Sequence, residues 1–112
     1  MTRIVQFKTV GAPSAVAAAI EEQARTQGNV TALVVPWESS ATTLNMAVTA
    51  VKSDGWAIEH TNLGTITLTD LGNDLTRVAV AAHPPDRPER DTLLAFFDRF
   101  ARQLQTRFLM AP

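Results

Sequence analysis

The chain has 112 residues, which is enough for one domain and too few for two. Apolar residues make up 46% of it and its net charge is −1, so it has material for a core but lacks the strongly basic character typical of nucleic-acid-binding proteins. The absence of cysteine excludes disulfides, thiolate chemistry and cysteine-based zinc sites.

The N-terminal part predicts a strand followed by a helix. Residues 3–10 alternate, with Val5 and Phe7 on one side, as in a half-buried strand. Lys8 interrupts the apolar run that a signal peptide needs, and no apolar run in the chain approaches the ~20 residues that span a bilayer. We therefore expect a cytoplasmic protein without membrane insertion. Pro13 suits the first turn of a helix, and Gly28 suits the position just after its end.

The middle of the chain predicts antiparallel strands. Five stretches are apolar or alternate with a period of two, and they cover residues 30–37, 41–52, 56–62, 65–71 and 75–82. The first is almost wholly apolar, which favours a central position in the sheet. Turn signals follow at residues 53–55 and 72–74, and residues 62–64 indicate either a turn or a bulge. In the third stretch, alternation predicts that Trp56, Ile58 and His60 share one inward face.

The C-terminal part predicts an amphipathic helix from about Asp91 to about Leu109, after a proline-rich loop at residues 83–88. At 100° per residue, the apolar side chains fill one arc of the helix. That arc holds Leu93, Leu94, Phe96, Phe97, Phe100, Ala101, Leu104 and Phe108. Asp98 and Arg102 lie on the opposite side. This is the strongest periodic signal in the sequence.

These elements predict a single α+β domain over residues 1–112. Hairpin turns make successive strands antiparallel, and a sheet with one apolar face needs a cover. The C-terminal helix is the element of matching length. We therefore expect an antiparallel sheet of about six strands wrapped around a long C-terminal helix.

Three stretches resemble the START-like superfamily, also called SRPBCC, which includes polyketide cyclases and has a helix-grip fold. Residues 12–16, Ala-Pro-Ser-Ala-Val, resemble the start of the family's first helix. Residues 64–78, from Gly64 through the turn to Thr76-Arg77-Val78, resemble its hairpin, and the phenylalanine-bearing last helix resembles its C-terminal helix. The resemblance implies a hydrophobic cavity between sheet and last helix that holds an apolar or aromatic small molecule.

The candidate site residues are aromatic and apolar side chains together with one histidine. If His60 points inward, its imidazole is a candidate general acid/base or a donor that orients a ligand; a partly buried structural histidine is the alternative. The candidate ligand-binding residues are Trp37, Met46, Trp56, His60, Phe97, Phe100 and Leu104, for each of which plain core packing is the alternative. Glu59 and His60 are adjacent in a strand and face opposite ways, so we expect no metal site, and we expect no cofactor.

Three functional hypotheses follow from the sequence. The first is a small-molecule-binding domain with a pocket between sheet and final helix. The second is a homodimeric interaction module without a ligand, and the third is an enzyme of the cyclase or dehydratase type that uses His60. We expect no nucleic-acid partner, because the chain is close to neutral.

Overall fold

The computed structural model of the protein describes residues 4–26, 30–83 and 90–109. Five strands and two α-helices make up this part of the chain, with one short 3-10 turn. In chain order they are β1 (Ile4–Val10), α1 (Pro13–Thr26), β2 (Val30–Val34), the 3-10 turn (Pro36–Glu38), β3 (Thr43–Asp54), β4 (Ala57–Gly72), β5 (Leu75–Ala82) and α2 (Arg90–Leu109).

The five strands form one antiparallel sheet in the order β1-β5-β4-β3-β2. The hairpin between β4 and β5 turns through Asn73 and Asp74, whose φ angles of 56° and 59° lie in the left-handed region that short polar residues tolerate best. The predicted α+β class, antiparallel sheet and C-terminal helix are confirmed. The sheet has five strands among the described residues rather than about six.

The missing sixth strand results from a β-bulge inside β4. Val48 of β3 pairs with Gly64 and the next residue, Thr49, pairs with Asn62, so that Leu63 is an extra residue in β4. The side-chain oxygen of Asn62 accepts a hydrogen bond from the backbone N–H of Gly64 at 3.1 Å, which stabilises this local geometry. Two predicted strands are therefore one continuous strand of 16 residues.

Strand β2 lies at the edge of the sheet, not at its centre. It pairs with β3 on one side, and it is the last strand in the sheet order. The prediction of a central position from its apolar sequence is therefore wrong. Leu33, the fourth of the five residues of this strand, is 58% exposed.

One face of the sheet carries the hydrophobic core, and both helices pack on that face; we call it the inner face. Register places Phe7, Val78, Leu68 and Leu44 in one row across β1, β5, β4 and β3. Helix α1 packs against β2, β3 and β4, whereas α2 packs against β1, β5 and β4. The opposite, outer face carries threonine, alanine and charged side chains together with the exposed Leu33 and Ile58.

Helix α2 has 20 residues, which corresponds to about 30 Å at a rise of ~1.5 Å per residue. The longest dimension of the molecule is 46 Å, so α2 covers only part of the sheet. The prediction that the C-terminal helix is long enough to match the sheet is therefore wrong. The hairpin formed by β3 and β4 extends past the other strands, because β5 ends opposite Gly64 and β2 begins opposite Ala50.

Candidate binding site on the inner face of the sheet

Three of the predicted ligand-binding residues lie together where α2 packs on the sheet, and a fourth, Met46, lies elsewhere in the same core. Phe97, Phe100 and Leu104 occur at intervals of three and four residues along α2, which places them on one side of the helix. Their exposed fractions are 2%, 1% and 0%, and Met46 of β3 is also completely buried. The three α2 residues form the apolar side of the helix that packs on the sheet, whereas Met46 lies on β3, a strand that packs against α1. The side chain of Phe96 lies outside the described residues.

Two buried threonines add polarity to this apolar interior. Thr9 of β1 and Thr76 of β5 are directly paired across the strands and are 4% and 0% exposed. The hydroxyl of Thr76 donates a hydrogen bond to the carbonyl oxygen of Gly11 at 2.7 Å, which ties β5 to the connection between β1 and α1. The hydroxyl of Thr9 has no hydrogen-bond partner within the described part of the chain.

An unpartnered buried hydroxyl is uncommon in folded proteins and costs about 1–3 kcal/mol relative to a hydrogen-bonded one. Sequence analysis did not single out Thr9, although the signal was present. The alternation that places Val5 and Phe7 on one face continues to Thr9, two residues further along β1. A polar residue at an inward position of an otherwise apolar strand was therefore predictable.

The other three predicted site residues lie away from this core. Trp37 is in the 3-10 turn after β2 and is 84% exposed, and Trp56, at the tip of the β3–β4 hairpin, is fully exposed. His60 is also exposed. The structure does not bring these three side chains to the sheet–helix interface.

The bulge at Leu63 explains why the predicted inward direction of His60 is wrong. An extra residue reverses the direction of every side chain beyond it, since strand side chains alternate with a period of two. Ile66 and Leu68 lie on the inner face, whereas Ile58 and His60, on the far side of the bulge, lie on the outer one. Ile58 is accordingly 67% exposed.

Two clefts lined by described residues open at the surface. One, of about 370 Å³, lies along the polar side of α2 and is lined by Arg99, Arg102, Gln103 and Thr106. The other, of about 270 Å³, lies between α1 and the edge strand β2. Its lining consists of Glu21, Arg25, Thr31, Ala32 and Leu33.

Comparison with models of known protein families gives no match, and comparison with curated proteins gives none either. A search of solved structures finds a START superfamily protein from Mycobacterium smegmatis. The two chains share 11% sequence identity over 97% of each, with a TM-score of 0.38. Within the described ranges, neither helix is long and apolar enough to cross a membrane.

Proposed function

We propose that the protein binds an apolar small molecule that carries one hydrogen-bonding group, between the inner face of the sheet and α2. The observation that carries this proposal is the buried hydroxyl of Thr9, which has no partner among the described residues. A carbonyl or hydroxyl oxygen of a ligand would provide the missing hydrogen bond and would remove the cost of burying this group alone.

The inner-face side chains next to Thr9 support the apolar character of such a ligand. Phe7, two residues away on β1, and Val78, two residues from Thr76 on β5, are 7% and 0% exposed, and Phe100 and Leu104 line the buried side of α2. Aromatic rings offer large flat surfaces to a ligand. In known binding sites, a mostly apolar wall with a few placed polar groups is the usual arrangement. Here Thr9 has the role of the placed polar group.

The hypothesis that the protein is an enzyme depended on a single residue, His60, and the position of this residue does not support it. It required His60 to act as a general acid/base inside the pocket, but His60 is exposed on the outer face of the sheet. A catalytic group must reach the proton that it transfers, within hydrogen-bonding distance or through one water. We therefore propose ligand binding, and not catalysis, as the function of the protein.

Methyl NMR of Val78 tests the location of the site. The chain is labelled at the valine methyl groups with ¹³C and titrated with 2-naphthol, an aromatic probe with one hydroxyl. Val78 is completely buried on the inner face, two residues from the partner of Thr9 on β5, so a ligand at Thr9 should shift its methyl resonances. Saturable binding that leaves Val78 unchanged would place the ligand elsewhere and would overturn the proposal, as would the absence of any binding.

A matched pair of probes and variants tests the role of Thr9. Naphthalene has the same ring system as 2-naphthol but no hydroxyl. The substitution Thr9→Val removes the protein hydroxyl at nearly constant volume. We expect it to weaken 2-naphthol binding about threefold to tenfold, the range that corresponds to a typical net hydrogen bond, and to leave naphthalene binding unchanged. Equal effects on both probes, or none on either, would contradict the assigned role.

A further inference from the structure

The charged residues Glu21 and Arg25 of α1 lie at the border between its buried and its exposed side. Each follows directly after a buried residue, Ile20 or Ala24, and therefore lies about 100° further around the helix. Both residues line the cleft of about 270 Å³ between α1 and β2. Glu21 is half-buried and Arg25 is exposed. The cleft therefore has an anionic and a cationic group on its helix side.

These two opposite charges do not form an ion pair with each other. A glutamate followed four residues later by a basic residue has the spacing that favours such a pair on a helix. Nevertheless, no ion pair or hydrogen bond joins Glu21 to Arg25, and neither side chain has such a partner elsewhere among the described residues. Both groups are therefore available to a ligand in the cleft.

The strand side of the cleft adds one hydroxyl group and one exposed apolar side chain. Thr31, Ala32 and Leu33 of β2 line it. Ala32 is small and buried, whereas Leu33 is 58% exposed. A ligand with an apolar part would cover Leu33 and remove apolar surface from water, which stabilises the complex.

The volume and the charges of the cleft limit the ligands that fit. Pockets for drug-sized molecules have roughly 300–1,000 Å³, and this cleft is smaller, at about 270 Å³. A simple anion would be attracted by Arg25 but repelled by Glu21, and a simple cation would experience the reverse. A small zwitterion, in contrast, gives each of the two charges an opposite partner.

We propose that the cleft between α1 and β2 binds a free α-amino acid with an aliphatic side chain. The ammonium group of the ligand contacts the Glu21 carboxylate, its carboxylate contacts the Arg25 guanidinium, and its side chain packs on Leu33. Guanidinium and carboxylate groups form two parallel hydrogen bonds, which fixes the orientation of the ligand. Because ion pairs at the surface are weak, we expect a dissociation constant on the order of 1 mM for L-leucine.

This cleft is separate from the site proposed on the inner face. Thr9 lies on β1, and the strand side of the cleft is formed by β2; these are the first and last strands in the sheet order. Four spacings of ~4.8 Å between neighbouring strands separate them, which is roughly 19 Å. A ligand in one site therefore leaves the other site free.

NMR titration of the ¹⁵N-labelled protein with L-leucine tests the cleft. We expect saturable shifts of the backbone amides of Thr31, Ala32 and Leu33, which line it, and no shift at Thr9. L-leucinamide lacks the carboxylate and N-acetyl-L-leucine lacks the ammonium group, so each should bind about threefold to tenfold more weakly. No saturable shift at concentrations far above the expected constant, or equal binding of all three compounds, would overturn the proposal.

Two charge-removing substitutions test the role of each group on α1. In Arg25→Gln, L-leucine should lose its advantage over L-leucinamide and keep its advantage over N-acetyl-L-leucine. Glu21→Gln should have the reverse effect, since each variant lacks the partner of one ligand charge. The control Glu22→Gln changes an exposed neighbour that is not part of the cleft lining and should alter neither ratio. Equal effects of the three variants would contradict the assignment.

The preference for an aliphatic side chain tests the contact with Leu33. L-leucine should bind at least about threefold more tightly than L-alanine, because it removes more apolar surface from water. Leu33→Thr should abolish this preference. The control Ile58→Thr makes the same kind of change at another exposed position, 67%, on the β3–β4 hairpin, and should leave it intact. A preference that persists in Leu33→Thr would contradict the assigned contact.

Discussion

The aromatic ring of Phe97 lies directly against the backbone of Gly64. A Cβ atom at position 64 would lie 2.6 Å from the Cζ atom of Phe97, and it would also collide with the carbonyl oxygen of Ala81. Real Cβ atoms do not approach other atoms this closely. Glycine at this position of β4 therefore allows α2 to dock at the inner face of the sheet.

We expect Gly64→Ala to destabilise the protein by about 1–3 kcal/mol, since a single added methyl group overpacks the core. The measurement is the urea midpoint, followed by circular dichroism. Phe97→Leu should recover only part of the loss in the double variant, because the collision with Ala81 involves backbone. As a control, Thr69→Ala changes a half-buried residue on the outer face of the same strand. Full stability of Gly64→Ala would contradict the close contact.

The paired threonines Thr9 and Thr76 should respond in opposite ways to the same substitution. Thr76→Val removes the hydrogen bond to Gly11 and leaves a partly buried carbonyl without its donor, which should cost about 1–3 kcal/mol. Thr9→Val removes a hydroxyl without a partner in the described structure, so we expect an unchanged or slightly higher unfolding free energy. Urea unfolding of both variants without ligand tests the difference. A similar loss in both would mean that the Thr9 hydroxyl is already hydrogen-bonded.

Local sequence patterns predicted those features that depend on local geometry. The hairpin at residues 72–74, the helix that begins at Pro13 and the amphipathic C-terminal helix follow from turn residues and periodicity, and the structure contains all three. The core positions Phe97, Phe100 and Leu104 also follow from the spacing along α2. Each of these predictions depends on residues that are close in the chain.

Positions that depend on pairing between distant residues could not be obtained in this way. One bulged residue, Leu63, reverses the direction of His60, and the pattern at residues 62–64 fits a turn as well as a bulge. Likewise, the apolar sequence of β2 fits a central strand, but its place is decided by which strands pair.

The fluorescence of the two tryptophans should be that of solvent-exposed side chains, not of side chains in the core. Trp37 is 84% exposed and Trp56 is fully exposed, so acrylamide should quench the fluorescence of the native protein almost as efficiently as that of the urea-unfolded protein. The variants Trp37→Phe and Trp56→Phe separate the two signals. Binding of a ligand at the inner face should leave both unchanged. Strong shielding of either residue in the native state would show that its surface is covered, by ligand or by a partner.

The side chain of Ser39 forms hydrogen bonds with backbone groups at the end of the paired strands β2 and β3. Its hydroxyl donates a hydrogen bond to the carbonyl oxygen of Val35 at 2.8 Å and accepts one from the backbone N–H of Asn45 at 3.1 Å. Ser39→Ala breaks both bonds at a half-buried site and should lower the unfolding free energy by about 1–2 kcal/mol. Ser40→Ala, the neighbouring exposed control, should change it by less than about 0.5 kcal/mol. Equal stability of the two variants would show that water replaces the Ser39 hydroxyl without cost.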